Sequence, residues 1–153
     1  MLHFASRHKE DKMKHFLSTL LLSTLLAAVH AQPSDQKAIL QILHEQTLSW
    51  NKGDLTGFMK GYWNNDSLQF VGKNGVTYGY ANTLSNYKKN YSNADLMGQL
   101  SFNILQVKQL SAEYCFVLGQ WFLKRKAGDV GGHYTLLFRK IGGSWYIVSD
   151  HSS

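Results

Sequence analysis

The C-terminal part of the chain most constrains its fold, because it consists of four strand-length runs joined by very short links. The runs cover residues 99–109, 112–125, 133–141 and 144–151, and each is rich in Val, Ile, Leu, Phe, Tyr and Trp. Links this short favour antiparallel neighbours, since parallel strands need a crossover of about a dozen residues. We therefore predict a four-stranded meander with Gly119 as the site of a bend or bulge.

Helical patterns precede the meander. Ser34 and Asp35 are typical of a helix start, and Gly53 marks the end of the helix that follows. Its inward face is predicted from the helical spacing of Ile39, Ile42, Leu43, Gln46 and Trp50. Asp54 is predicted to cap a second, short helix that ends at Tyr62.

A hairpin and a third helix lie between these helices and the meander. Residues 68–71 and 76–78 are strand-like, and the Asn74-Gly75 pair in their link favours a tight turn. Tyr80, Leu84, Tyr87 and Tyr91 then repeat at helical spacing. Helices followed by long antiparallel strands predict an α+β fold with the helices on one face of the sheet.

Residues 13–31 have the layout of a secretory signal peptide. A short basic start precedes an apolar run over residues 16–29, and we place the cut after Ala31. The run is shorter than the about 20 residues of a membrane-spanning helix. Met13 is the better start, so residues 1–12 are predicted to be a mis-assigned extension. The mature domain, residues 32–153, is then periplasmic or secreted.

The basic charge of the chain does not indicate a nucleic-acid partner. Residues 1–31 carry four basic and two acidic side chains, so their removal lowers the formal net charge from +6 to +4. The remaining basic clusters, residues 88–89 and 124–126, form no continuous track for phosphates. A glycine-rich phosphate loop is absent as well, and we expect no cofactor.

The chain contains one cysteine, Cys115, in the second run of the meander. We predict that it is a small buried hydrophobic residue rather than a reactive thiol. Because the residue directly after the cut at Ala31 is not a cysteine, we expect no lipid anchor and no attachment to a membrane.

The order of elements resembles the nuclear transport factor 2-like fold, and more narrowly its SnoaL-like and ketosteroid-isomerase-like bacterial members. The motifs that carry the resemblance lie within residues 35–153: residues 50–54, residues 71–75 with Gly79, residues 119–121, residues 132–140 and residues 143–153. The resemblance implies a cone-shaped half-barrel, also called cystatin-like, whose helices and strongly bent, mostly antiparallel sheet enclose an apolar cavity. It also implies frequent homodimers through the sheet. It implies no single activity, since this fold hosts isomerases, cyclases, dehydratases, binding modules and assembly domains.

Asp150 and His151, at the end of the last strand, are the first candidates for acid–base chemistry. Neighbouring strand residues point to opposite faces, so only one of them can face a cavity. The resemblance favours His151, and the alternative role for either residue is to tether the chain end. Tyr62, at the end of the second helix where the cavity of the family opens, is the third catalytic candidate.

Large aromatic rings with polar tips suit an apolar ligand that bears a few oxygens. The predicted ligand contacts are Trp50, Tyr62, Trp63, Trp121, His133 and Tyr134. His133 starts a strand at the same end of the sheet as His151, and a plain surface position is its alternative reading. Two histidines with no third ligand do not make a metal site, so we expect none.

Three functions remain open at this stage. The first is the binding of a small apolar molecule, with the domain as a homodimer. The second is an isomerase, cyclase or dehydratase that uses His151 as general base, assisted by Tyr62 or Asp150. No acidic residue stands alone within an apolar strand, which counts against an isomerase. The third is a dimerisation module without a ligand.

Overall fold

The computed structural model describes residues 33–153. The predicted signal peptide, its cut after Ala31 and the predicted extension over residues 1–12 lie outside these residues. The helices are α1 (Pro33–Asn51), α2 (Leu55–Met59), α3 (Tyr80–Asn90) and α4 (Ala94–Met97). The strands are β1 (Gln69–Gly72), β2 (Gly75–Tyr78), β3 (Gln99–Gln109), β4 (Tyr114–Lys124), β5 (Val130–Ile141) and β6 (Ser144–Ser152).

The two N-terminal helices form where the sequence predicts them, although α2 ends at Met59 and not at Tyr62. α1 buries Ile39, Leu43 and Trp50 along one face and is followed by Gly53 at a positive φ of 78°. The side chain of Asp54 caps α2 by accepting a hydrogen bond from the backbone N–H of Gly57 at 2.7 Å. These caps place the segment after α2 against the sheet.

The six strands form one curved sheet in the order β2-β1-β6-β5-β4-β3. Neighbours are antiparallel except β1 and β6, which are parallel. The predicted meander is therefore confirmed, and the hairpin extends it beyond β6 through the one parallel pairing. A parallel neighbour is allowed here because α3, α4 and the other strands separate β1 from β6 along the chain.

The bend in the meander involves a bulge on β3. Ile104 pairs with Gly119 and Gln106 pairs with Leu118, so Leu105 is an extra residue without a partner. The predicted irregularity thus occurs at Gly119, but the extra residue belongs to the strand opposite it. A bulge increases the local twist and helps the sheet to curve around its contents.

Helices and sheet share one core on the concave side. Its fully buried members come from both layers, for example Ile39 and Met59 from the helices and Val117, Phe138 and Ile147 from the strands. Cys115 is also completely buried, which confirms its predicted place in the core. The observed α+β class, with helices packed on a bent and mostly antiparallel sheet, is the one that the sequence predicts.

One ion pair fastens the start of α1 to the sheet. Asp35 accepts hydrogen bonds from Lys140 Nζ at 2.8 Å and from Trp145 Nε1 at 3.1 Å. These two bonds, the Lys140 one first, hold the pKa of Asp35 below its usual value. The helix layer is therefore fixed over the sheet at the end remote from the β1–β2 turn.

Candidate functional site

A cavity of about 540 Å³ lies between the helices and the concave face of the sheet. Exposed residues of the β1–β2 turn, Lys73 and Asn74, belong to its lining and mark the side that meets solvent. Aromatic rings form a large part of the wall, together with polar side chains. The rings that line it are Trp50, Phe58, Tyr62, Phe70, Tyr87, Tyr91, Phe102, Trp121 and Tyr134.

The last strand carries one extra residue relative to its neighbour. Opposite the adjacent residues Leu137 and Phe138 of β5 stand Ser149 and Ile147, so Val148 has no partner. A bulge of this kind interrupts the two-residue alternation of a strand. Strict alternation from Ile147 would place His151 on the inner face of the sheet. Because of the extra residue Val148, Asp150 takes that inner position instead.

This bulge decides which member of the Asp150-His151 pair faces the cavity. Asp150 is 3% exposed and belongs to the cavity wall, whereas His151 is exposed and lies on the outer face of the sheet. The expectation that His151 is the pocket-facing member is therefore wrong, because the bulge exchanges the two faces. The carboxylate takes the inner position.

The Asp150 carboxylate accepts two short hydrogen bonds inside the cavity wall. Tyr62 Oη donates to Oδ2 at 2.7 Å, and Ser152 Oγ donates to Oδ1 at 2.7 Å. Burial disfavours the charged form and raises the pKa of Asp150 to about 6, while the two hydrogen bonds and the charge of His151 act in the opposite direction. A carboxyl group that titrates near neutral pH can both accept and release a proton there.

Tyr62 reaches Asp150 because the segment after α2 is hydrogen-bonded to β6. Trp63 N donates to Ile147 O, and Ile147 N donates to Gly61 O, each at 2.9 Å. Burial first, and then the charge of Asp150, raises the pKa of Tyr62 well above its usual value. The Tyr62 hydroxyl therefore remains a proton donor at physiological pH.

Tyr87, on α3, lies in the same aromatic wall. Its ring centroid is 5.3 Å from that of Phe58 and 6.0 Å from that of Trp50, both edge-to-face. Burial and the charge of Asp150 raise the pKa of Tyr87 as well. Sequence reasoning used Tyr87 and Tyr91 only to define a helix, although their spacing already placed both rings on the inward face of α3.

Trp121 and Tyr134 lie on neighbouring strands, and each ring covers a glycine of the other strand. Gly119 pairs with Tyr134, and Trp121 pairs with Gly132. A Cβ atom at Gly119 would overlap the tip of the Tyr134 ring, and one at Gly132 would overlap the carbonyl oxygen of Ser153 and lie 3.1 Å from Trp121 Nε1. Gly119 therefore leaves the space that the Tyr134 ring occupies, and Gly132 leaves space for the Ser153 carbonyl group and the edge of the Trp121 ring.

The polar atoms of these two rings are buried without a partner. Neither Trp121 Nε1 nor Tyr134 Oη has a hydrogen-bond partner among the described residues. Burial first, and then the charge of Asp150, raises the pKa of Tyr134, so its hydroxyl stays protonated. A buried donor left without an acceptor costs about 1–3 kcal/mol.

Four of the six predicted ligand contacts line the cavity, namely Trp50, Tyr62, Trp121 and Tyr134. Trp63 is half-buried outside the lining. His133 is exposed, with its Nε2 atom 3.1 Å from Gln120 Nε2. It therefore lies at the surface, which was the alternative position given for it. Contact of any of these residues with a ligand stays a prediction.

Within residues 33–153, no three His, Cys, Asp or Glu side chains are grouped so that they could hold a metal ion. No helix in the same range is long and apolar enough to cross a membrane.

Solved structures with the same architecture include one of high sequence similarity. An NTF2-like protein of unknown function from Shewanella oneidensis MR-1 is 41% identical, with a TM-score of 0.74, over 77% of this chain and 98% of its own. No protein-family model matches the chain, and no curated protein does.

Two more distant structures share the fold alone. A ketosteroid isomerase-like protein from Erwinia carotovora atroseptica is 19% identical, with a TM-score of 0.64, over 80% of this chain and 97% of its own. A domain of unknown function with a cystatin-like fold from Nostoc punctiforme is 14% identical, with a TM-score of 0.68, over 80% of this chain and 78% of its own.

Proposed function

The chain belongs to the nuclear transport factor 2-like family, and from the cavity that its fold encloses we propose that it binds a small, largely apolar molecule. The observation that carries this proposal is a cavity of about 540 Å³ whose wall includes nine aromatic rings. Pockets for small molecules commonly measure about 300–1,000 Å³ and combine apolar walls with a few polar groups. A dimerisation module without a ligand needs no such cavity.

Polar groups of the wall accompany these rings. Asp150, Tyr62 and Ser152 form one hydrogen-bonded group, and Trp121 and Tyr134 supply the two unpartnered donors. The rest of the contact area would come from rings such as Phe58 and Tyr87, which bury large apolar areas without needing hydrogen bonds.

Filling the cavity should weaken binding. Leu136 is 4% exposed and belongs to the cavity wall. The larger indole of Leu136→Trp would therefore occupy part of the cavity. Once thermal-shift screening against hydrophobic metabolites has identified a ligand, we expect its affinity to fall at least about tenfold in this variant, measured by titration calorimetry.

Leu136→Met is the matched control, because it replaces the same side chain at nearly constant volume. It should bind with an affinity close to that of the wild type. Unchanged binding by a folded Leu136→Trp protein would place the ligand elsewhere and contradict the proposal.

A second candidate function is an acid–base enzyme of isomerase, cyclase or dehydratase type. It is favoured by one observation, the cavity-facing carboxyl group of Asp150 with its pKa of about 6. Each carboxylate oxygen has two lone pairs, so the bonds from Tyr62 and Ser152 leave acceptor capacity for a proton of the substrate. The base that we propose for this reaction is Asp150, since His151 faces away from the cavity.

We also propose that the domain forms a homodimer through the outer face of the sheet. Half-buried apolar side chains occupy the centre of that face, with Phe116 and Leu137 paired across β4 and β5 and Leu118 in the next row. Polar and charged residues surround them, including Arg139, His133 and His151. An apolar centre with a polar rim is the common anatomy of a protein interface.

Export to the periplasm or medium is a proposal that rests on the sequence of residues 13–31. Expression of the whole chain in a Gram-negative host should yield a mature protein whose first residue is Gln32, as determined by N-terminal sequencing. Replacement of Ala31 by Gln should prevent this cleavage. Full-length protein found in the cytoplasm would contradict the proposal.

A further inference from the structure

The two unpartnered donors of the cavity point to a more specific property of its ligand. We propose that Trp121 Nε1 and Tyr134 Oη form a subsite for an uncharged, hydrogen-bond-accepting oxygen, such as that of a ketone, ester or lactone. This inference rests on the proposed function, because it assumes that the cavity holds a ligand. It goes beyond it by naming the polar group of the ligand and the two atoms that bind it.

The donors lie on the same part of the inner sheet surface. Their strands are neighbours, and the pairs Gly119–Tyr134 and Trp121–Gly132 occupy successive inward positions of β4 and β5. The Tyr134 ring is also held from the side by Phe102, with ring centroids 5.3 Å apart. Both polar atoms are thus placed by packing against the sheet before any ligand arrives, which favours binding.

The chemistry of the two atoms selects an acceptor. The indole N–H of Trp121 can only donate a hydrogen bond, and the protonated hydroxyl of Tyr134 can donate one as well. Both are buried and unpartnered among the described residues. An acceptor oxygen of the ligand compensates the desolvation of a donor to which it bonds, whereas a hydrocarbon group leaves the desolvation of both donors uncompensated.

The charge in the cavity selects against an anion. Asp150 is close enough to Tyr134 for its negative charge to raise the pKa of that hydroxyl, so an ionised ligand carboxylate at the subsite would be repelled. Among the described residues of the lining, Lys73 is the only basic one, and it is exposed on the β1–β2 turn. The oxygen that fits beside Asp150 is therefore an uncharged one.

The test compares three probes of the same shape and ring system. 2-Acetylnaphthalene carries the acceptor oxygen, 2-isopropylnaphthalene replaces it by a methyl group, and 2-naphthoate carries an anion. We expect the ketone to bind about tenfold more tightly than the hydrocarbon at pH 8, since each hydrogen bond contributes about 0.5–1.5 kcal/mol, and the naphthoate to bind most weakly. Affinities are measured by titration of the ¹H–¹⁵N NMR spectrum of the full mature domain.

Trp121→Phe and Tyr134→Phe should each remove most of the preference for the ketone over the hydrocarbon, while both variants keep their affinity for the hydrocarbon. Tyr78→Phe is the matched control, because Tyr78 is 58% exposed and lies outside the cavity lining. The indole N–H signal of Trp121 is assigned as the one that is missing from the spectrum of Trp121→Phe. In the wild-type protein, only the ketone should shift this signal downfield. A purely structural role of Trp121 would not produce this ligand-dependent shift.

The outcomes separate this inference from the proposal on which it rests. Equal affinity for the ketone and the hydrocarbon would leave cavity binding intact and overturn the acceptor subsite. Tightest binding of the naphthoate would likewise overturn it, since it would mean that the subsite takes an anion. Failure of all three probes to bind, in a protein that also binds nothing in the metabolite screen, would overturn both.

Discussion

Asp150→Asn should stabilise the protein at neutral and alkaline pH and leave its stability near pH 4 almost unchanged. Asp150 is 3% exposed, and its burial raises its pKa from 3.8 to about 6. Asparagine has nearly the same shape and remains uncharged. Its amide oxygen can accept the hydrogen bond from Tyr62, and its amide nitrogen can donate one to Ser152 Oγ.

The direction of the pH dependence follows from proton linkage. The folded pKa of Asp150 lies above the unfolded one, so the folded protein binds the proton more tightly than the unfolded chain. The stabilisation from this proton is complete below pH 4 and is lost as the pH rises through about 6. A difference of about two pKa units corresponds to roughly 3 kcal/mol, which is the expected gain of Asp150→Asn at pH 8.

The measurement is the free energy of unfolding from guanidinium titrations between pH 4 and pH 8. Groups that face or influence Asp150, namely Tyr62, Tyr87, Tyr134, Ser152 and His151, are unchanged in the variant. Asp66→Asn, at an exposed carboxylate, controls for the loss of one negative charge. A stability difference for Asp150→Asn that does not vary with pH would contradict the prediction.

The same variant distinguishes the two candidate functions. A buried carboxylate that destabilises the folded protein at neutral pH is the kind of feature that persists at functional sites. If Asp150 is a general base, Asp150→Asn should still bind the ligand and lose turnover by a factor of about 100 or more. If the domain only binds its ligand, the substitution should alter affinity alone.

Most of the fold was predictable because the meander, the hairpin and three of the four helices within residues 33–153 have strong local signals, whereas the short helix α4 was not predicted. Four apolar runs with short links specify the meander, and Asn74-Gly75 specifies the hairpin turn. The predicted family is also confirmed, by a relative of 41% identity. The parallel pairing of β1 with β6 has no local signal, since it depends on where the hairpin docks after the helices have packed.

The site was predictable only in part, and β6 shows why. Tyr62 was identified correctly as a cavity residue from its place after the second helix. The choice of His151 over Asp150 came from the family resemblance, since alternation alone left both faces of β6 open. The unpaired Val148 places Asp150 on the same inner face as Trp145 and Ile147. A bulge is set by the pairing of two strands and not by the residues of one strand, so the sequence of β6 does not reveal it.

The second large effect is expected on the outer face of the sheet. Leu137 lies at the centre of the apolar area there, opposite Phe116 of β4 and next to the bulge of β6. It is half-buried in one protomer, so Leu137→Glu can keep its carboxylate in water while the domain is a folded monomer. In a dimer formed through this face the same carboxylate would be buried without a partner, which costs about 3–5 kcal/mol.

We therefore expect Leu137→Glu to raise the dissociation constant of the homodimer more than about hundredfold, with little change in the unfolding of the monomer. Sedimentation equilibrium over a range of protein concentrations measures this constant. Gln36→Glu adds the same charge at an exposed position of α1, on the helix side of the domain, and should leave the dimer intact. If the Leu137→Glu variant stays dimeric, the interface lies elsewhere than on this face. If the wild-type protein is monomeric at every concentration, the dimer is refuted, and the apolar centre is an ordinary part of a solvated sheet.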